Sequence, residues 1–357
     1  METNHKIIFG DSRNMDAVPS KSVDLIITSP PYPMIAMWDE TFSRQNPSIR
    51  EALNRKDGLS AFELMHKELD RVWEEVFRVL KRGGLACINV GDAARTVNGD
   101  FRLYPNHARI LNALGRLGFS GLPAIIWRKQ TNAPNKFMGS GMLPAGAYVT
   151  LEHEYILILR KGSKREFKKE EDKKNRRRSA IFWEERNMWF SDVWMDLKGT
   201  GQNMNHEKTR LRSGAYPFEL AYRLINMFSI KGDTVLDPFL GTGTTMAAAM
   251  ASCRNSIGVE VDTNFRDTIR DKVEKILEFS NQYNKSRIKM HRDFVAERSK
   301  IKDIKYMNKH YHFPVVTSQE TELILHDLKS VSRVGRDEFK VSYAEHTFAN
   351  DLSVTSP

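Results

Sequence analysis

Four consecutive residues, Ser29-Pro30-Pro31-Tyr32, have the functional groups needed to act on an amine. The exocyclic amine of a nucleobase is a poor nucleophile, because its lone pair is delocalised into the ring. A catalyst must take up the N–H hydrogens and favour the pyramidal nitrogen. The Ser29 hydroxyl oxygen and the Pro30 carbonyl are the acceptors on offer. Proline fixes φ and has no N–H, so the pair Pro30-Pro31 pins that carbonyl without a competing donor. Tyr32 adds a ring to stack on an extruded base and a π face for the cationic nitrogen formed in transfer, so the ring and not the hydroxyl is expected to act. Taken alone, the tetrapeptide also fits a buried Pro-Pro turn with a packed tyrosine.

A second constellation is Asp237-Pro238-Phe239-Leu240-Gly241-Thr242-Gly243-Thr244-Thr245, which falls between a strand and a helix. Glycines there let the backbone approach a ligand, and the start of a helix favours an anionic group. Glu260 closes the next strand, where an acidic side chain accepts from both ribose hydroxyls of a nucleoside. The third glycine of the dinucleotide fingerprint is absent, since Ala247 to Ala249 continue the helix, and the loop offers threonines in place of a phosphate-binding lysine. NAD and ATP therefore fit poorly. S-adenosylmethionine carries an adenosine and a carboxylate but no phosphate, and suits hydroxyls and N–H groups at a helix start.

The elements that must position these groups alternate. Val23 to Thr28 reads as a buried strand running straight into Ser29. From Phe62 the positions Met65, Leu69, Val72, Trp73, Val76, Phe77 and Leu80 keep helical spacing, and Lys81-Arg82-Gly83-Gly84 ends the helix before a strand at Leu85 to Val90. The pattern repeats with a helix at Ala108 to Leu117 and strands at Leu122 to Trp127 and Tyr155 to Leu159. It resumes with a helix from Pro217, a strand at Thr234 to Leu236, an alanine-rich helix and the strand Ile257 to Glu260. Such alternation predicts βαβ units around a largely parallel sheet. One further helix is expected to about Tyr283, followed by a polar tail.

Composition bounds the partners. In 357 residues, 55 Lys+Arg against 45 Asp+Glu give a net charge of +10, which favours a polyanion. Cys87 and Cys253 form no CxxC pair and imply neither a disulfide scaffold nor a thiolate metal site, so no metal is expected and a reducing, cytoplasmic setting is. Both read as core thiols, which argues against carbon-5 methylation, a reaction that needs a cysteine nucleophile. No apolar run is long enough to span a bilayer.

Together, Ser29 to Tyr32, Asp237 to Thr245 and Gly258-Val259-Glu260 resemble the amino-group DNA methyltransferases, whose catalytic motif is Asp/Asn/Ser-Pro-Pro-Tyr/Phe. The tetrapeptide precedes the cofactor loop, an order similar to that of the circularly permuted β group, and the resemblance covers residues 6 to 262. It implies a Rossmann-like α/β methyltransferase fold, S-adenosyl-L-methionine as cofactor and direct transfer to a flipped base. By this resemblance Asp11 receives the adenine amino group, Glu260 the ribose and Phe239 the adenine ring, while Asp237, Gly241, Thr242, Gly243 and Thr244 form the cofactor loop. Pro217-Phe218-Glu219-Leu220 resembles the motif that opens the helix beside the methionine part, with Ala215-Tyr216 replacing the usual histidine before Pro217. Serine at the first motif position resembles the cytosine-N4 branch and aspartate the adenine-N6 branch. A hydroxyl can donate or accept, so Ser29 leaves adenine open. The expected role is modification within a restriction system or alone. The partners are double-stranded DNA, a cognate endonuclease acting on the same site and, as an option, a second copy of the chain. A reading of another class is a catalytically silent nucleic-acid-binding protein of this fold.

The implied organisation is a catalytic half (1–161), a target-recognition insert (162–212), a cofactor-binding half (213–283) and a polar C-terminal extension (284–357). Within the insert, Lys164, Arg165, Lys168, Lys169, Arg176, Arg177 and Arg178 could neutralise phosphates, and some of Trp183, Trp189 and Trp194 could pack a local core. A solvated loop is the alternative for the charge run. Asn135 to Met142, which includes Lys136, is a second candidate DNA-facing loop.

Overall fold

The computed structural model describes residues 1–129, 138–139, 142–198 and 216–346. Its spine is an 11-stranded sheet. In chain order the strands are β1 (Glu2–Phe9), β2 (Val23–Thr28), β3 (Leu80–Val90), β4 (Phe119–Gly121), β5 (Ile125–Arg128), β6 (His153–Lys161), β7 (Val193–Trp194), β8 (Thr234–Asp237), β9 (Asn255–Glu260), β10 (His326–Gly335) and β11 (Glu338–Glu345). In space they lie in the order β7-β5-β6-β3-β2-β8-β9-β1-β11-β10, with β4 also paired to β6. The run from β3 to β1 is parallel throughout, so the carboxyl ends of five strands share one edge of the sheet. Strand β6 is antiparallel to β3 and brings its amino end to that same edge.

The helices are α1 (Asp39–Gln45), α2 (Pro47–Asn54), α3 (Gly58–Val79), α4 (Asn106–Leu117), α5 (Glu170–Arg178), α6 (Trp183–Trp189), α7 (Phe218–Phe228), α8 (Thr244–Ala251) and α9 (Phe265–Ser299). Every residue of β2 is buried because both faces of the sheet are covered. Ile26 packs with Val72, Trp73 and Val76 of α3, whereas Leu25 and Ile27 pack with Leu220 and Leu224 of α7 and Ala248 of α8. Helix α8, TTMAAAMA, is buried all round, and its small alanines let it press against the strands beneath. Among the described residues no helix is long and apolar enough to cross a membrane.

Three sequence expectations are corrected. The basic Lys81-Arg82-Gly83-Gly84 stretch is part of strand β3, which begins at Leu80 and takes up the left-handed turn at Gly83 (φ 85°) as a register shift against β2. The aromatic half of the insert is no separate lobe. Trp189 and Trp194 join Trp127 and Tyr222 in the core on the α7 side, and β7 pairs with β5 at the sheet edge. Glu185 of α6 holds the buried Arg287 of α9 through bonds of 2.6 and 2.7 Å. The C-terminal region is ordered as far as residue 346. Helix α9 continues to Ser299, and the β10–β11 hairpin extends the sheet beyond β1, burying Leu328, Phe339, Val341 and Tyr343 against Met246, Met250, Ile269 and Val273.

Candidate active site

Along the carboxyl edge of the parallel strands lies a cavity of about 630 Å³, lined among others by Asp11, Ser29, Pro30, Pro31, Tyr32, Phe239, Thr242 and Glu260. Residues far apart in the chain meet there because β2 and β8 are neighbours. Thr28 Oγ1 donates to Asp237 Oδ1 at 2.6 Å, across a sequence gap of 209 positions. The second oxygen of Asp237 accepts from Thr245 Oγ1 and from Tyr216 Oη. Asp237 thus locks the ends of β2 and β8 to the first turn of α8. Burial pushes its carboxyl above the ordinary range, although these donors oppose the shift.

At one end of the cavity, Glu260 Oε2 accepts from the N–H of Gly241 at 2.7 Å and Oε1 from that of Asp262 at 2.8 Å. Each oxygen keeps a lone pair for a ribose hydroxyl. Burial raises the Glu260 carboxyl, and the two N–H donors offset it in part. Asp11 is held by Arg13 through bonds of 2.6 to 3.1 Å, and Arg13 bridges on to Glu68 at 2.5 Å. Burial would raise Asp11, but the guanidinium outweighs it and keeps the carboxyl below its usual range. Phe239 meets Trp73 edge to face with centroids 6.3 Å apart, which leaves an apolar wall for an adenine ring. Carboxylates for ribose and amine, an apolar wall, and hydroxyls at a helix start fit S-adenosylmethionine.

Two assigned cofactor residues are placed differently. Pro217 is buried at the N-cap of α7 and does not line the cavity; the preceding Tyr216 does. Gly243 lies behind the cavity wall, where its φ of 80° makes the turn into α8 against Ile269.

At the other end, the tetrapeptide is part of a hydrogen-bonded chain that the sequence does not reveal. Ser29 Oγ lies 2.9 Å from Tyr32 Oη, and Tyr32 Oη donates to Glu154 Oε2 at 3.0 Å. Asn89 Nδ2 donates to the same phenol oxygen at 3.0 Å and to Glu154 Oε2 at 2.6 Å, while Lys129 Nζ holds Glu154 Oε1 at 2.9 Å. The phenol has a single hydrogen, committed to Glu154, so Ser29 must donate to Tyr32. The Ser29 lone pairs then face the cavity as acceptors. Burial, and secondly the Glu154 charge, push the phenol well above its usual range, which keeps it a neutral donor. Gly91 makes room for the ring, since a Cβ there would meet Tyr32 Cε2 at 3.1 Å. Glu154, Asn89 and Lys129 escape sequence reasoning because they come from the start of β6, the end of β3 and the residue after β5. No local motif links them.

The basic run is not brought to the cavity. Arg165 Nη1 bonds Asp233 Oδ2 at 2.6 Å and lies 3.7 Å from Asp24, at the amino ends of β8 and β2. Arg177 pairs with Glu322 and Arg178 with Glu345, and Arg176 lies over the ring of Phe167. Lys164 is exposed beside them. Asp24 and Asp233 stand four residues before Thr28 and Asp237, about 13 Å at 3.3 Å per residue, so Arg165 is anchored at the far edge of the sheet from Ser29. Lys136 lies outside the described residues. Cys87 and Cys253 are buried away from the cavity with their thiols pushed up by burial, Cys253 to about 11.

A doubly covered, largely parallel sheet with a nucleoside-sized cavity at its carboxyl edge defines the Rossmann-like methyltransferase class. Residues 23–271 match the DNA methylase family of N6 and N4 amino-methyltransferases, and the chain belongs to that family. It is 53% identical over 346 residues to the type II methyltransferase M.MthZI of Methanothermobacter thermautotrophicus, covering 97% of this chain and 96% of that one. It is 51% identical over 282 residues to M.MjaI of Methanocaldococcus jannaschii, covering 76% and 91%. Among solved structures, a putative DNA modification methylase from Thermus thermophilus, solved in complex with S-adenosyl-L-methionine, superposes with a TM-score of 0.58 at 34% identity over 75% of this chain and 92% of that one.

Proposed function

We propose that this DNA methyltransferase moves the methyl group of S-adenosyl-L-methionine to the exocyclic N4 of a cytosine flipped out of duplex DNA. The observation that carries this reading is the chain Ser29–Tyr32–Glu154 opening onto the same cavity as Glu260 and Phe239. When bound, the cofactor supplies an electrophilic sulfonium methyl. Ser29 Oγ, turned into an acceptor by its bond to Tyr32, takes one hydrogen of the amine, and the Pro30 carbonyl is the acceptor for the other. As the nitrogen becomes cationic its acidity rises, and a proton can pass to Ser29 Oγ while the serine proton moves to Tyr32 Oη and the tyrosine proton to Glu154. Lys129 steadies the carboxylate that ends this relay.

Serine in place of an acid at the head of the tetrapeptide resembles the cytosine-N4 branch, and that resemblance is what favours cytosine. Adenine-N6 transfer is the alternative within this chemistry. Both type II relatives belong to restriction-modification nomenclature, so an endonuclease acting on the same sequence is the expected partner. The test is to express the protein, digest host DNA to nucleosides and identify the methylated one by mass. N4-methylcytosine is expected, and N6-methyladenine would overturn the base assignment.

A further inference from the structure

Lys272 lies on α9 and is absent from every motif above. Its ammonium is buried against the cofactor loop, where Nζ donates to Thr242 Oγ1 at 3.0 Å and to Thr244 Oγ1 at 2.9 Å. Burial is the sole cause of its lowered pKa of about 8, and no acidic side chain contributes. A buried cation without a carboxylate is costly unless something else supplies the negative charge. Both threonines line the cavity and Lys272 does not, so the hydroxyls stand between the ammonium and whatever occupies the cavity.

The hydrogen count fixes their polarity. An ammonium has donors only, so each hydroxyl bonded to it must accept, and its own hydrogen is left to point elsewhere. The two hydroxyl oxygens are 3.5 Å apart, too far for a strong mutual bond, and at least one O–H is left for the cavity. The site therefore offers hydroxyl donors on Thr244, the first residue of α8, and on Thr242 just before its N-cap Gly243, where the helix start also favours an anion, backed by a buried positive charge.

Resting on the cofactor reading given above, we propose that Lys272 is a positioning residue that turns Thr242 and Thr244 into donors for the carboxylate of the cofactor's amino-acid arm. Of the two ends of S-adenosylmethionine, Glu260 takes the ribose and leaves the carboxylate, the cofactor's one anionic group, for this corner.

The test compares two ligands by calorimetry on the full chain: S-adenosyl-L-methionine, and its decarboxylated form, which keeps the nucleoside, the sulfonium and the amine. Wild type should prefer the carboxylated ligand. Lys272→Met should raise Kd for S-adenosyl-L-methionine about tenfold or more while leaving the decarboxylated ligand as before, so the preference collapses. Lys272→Arg should retain part of it. Unchanged binding of the decarboxylated ligand also shows that the variant is folded. Equal weakening toward both ligands would reduce Lys272 to a support for the loop and overturn the proposal, as would no change toward either. If wild type binds neither ligand, the cofactor reading itself fails, which is distinguishable from a failure of the Lys272 assignment.

Discussion

At the scale of single residues the chemistry depends on which groups can still accept. The sequence points to Ser29 and Tyr32 but assigns the tyrosine a stacking ring, whereas its hydroxyl links Ser29 to Glu154. Tyr32→Phe should accordingly slow transfer by roughly tenfold, the range of one hydrogen bond in a charged network, despite keeping the ring. Glu154→Gln should cost about as much or more, because an amide ends the relay with a donor and no place for the proton. Single-turnover rates at saturating DNA check both, and a wild-type rate in Tyr32→Phe would return the role to the ring. Glu260 gives a pH prediction. Its carboxyl is raised in the folded protein, and only the ionised form can accept from both ribose hydroxyls without surrendering an oxygen to its own proton. Cofactor affinity should therefore fall as pH drops, beginning above the ordinary glutamate range. Glu260→Gln should bind more weakly at neutral pH, by about 1.5–3 kcal/mol for a lost charged hydrogen bond, and show a flatter acid limb. Asp237 is raised in the same direction, and the limb that persists in the variant measures its share.

At the scale of elements, legibility follows periodicity. Strand β2 is plain in the sequence because both its faces are buried and its apolar run is unbroken, and α3 because its buried positions recur at helical spacing from Ala61 to Val76. The cofactor loop is plain because strand, glycines and helix start are contiguous. The β10–β11 hairpin escapes notice although Phe339, Val341 and Tyr343 alternate with half-exposed or exposed residues over Glu338–Glu345. Its short, mixed polarity reads as tail until β1 is known to need a neighbour. The insert hides its partners for another reason. Asp24, Asp233, Glu322 and Glu345, which pair with Arg165, Arg177 and Arg178, are distant in sequence. If the hairpin belongs to the fold, Phe339→Ala should destabilise the protein by about 3–5 kcal/mol, as for a buried aromatic, with a matching loss in denaturant midpoint and no change in m-value. A variant as stable as wild type would mean that the hairpin is an appendage.

At the scale of the whole molecule, the fold works by bringing two separate lengths of chain to one edge. The strand that runs into Ser29 and the strand that ends in Asp237 are neighbours in the sheet, so Ser29 and Glu260 face one cavity although 209 positions separate Thr28 from Asp237. That adjacency follows from sheet order, which the sequence leaves open, and it is what turns two suggestive motifs into a site for methyl transfer. The most direct measurement is single-turnover transfer of labelled methyl from S-adenosyl-L-methionine to duplex DNA by wild type and by Ser29→Ala, with cofactor and DNA binding measured alongside. The arrangement predicts a transfer rate lower by roughly 10²-fold in the variant, as for the loss of one group that acts mainly in the transition state, with both affinities nearly unchanged. A Ser29→Ala protein that transfers at the wild-type rate, or a wild type that binds both ligands and transfers nothing, would contradict it.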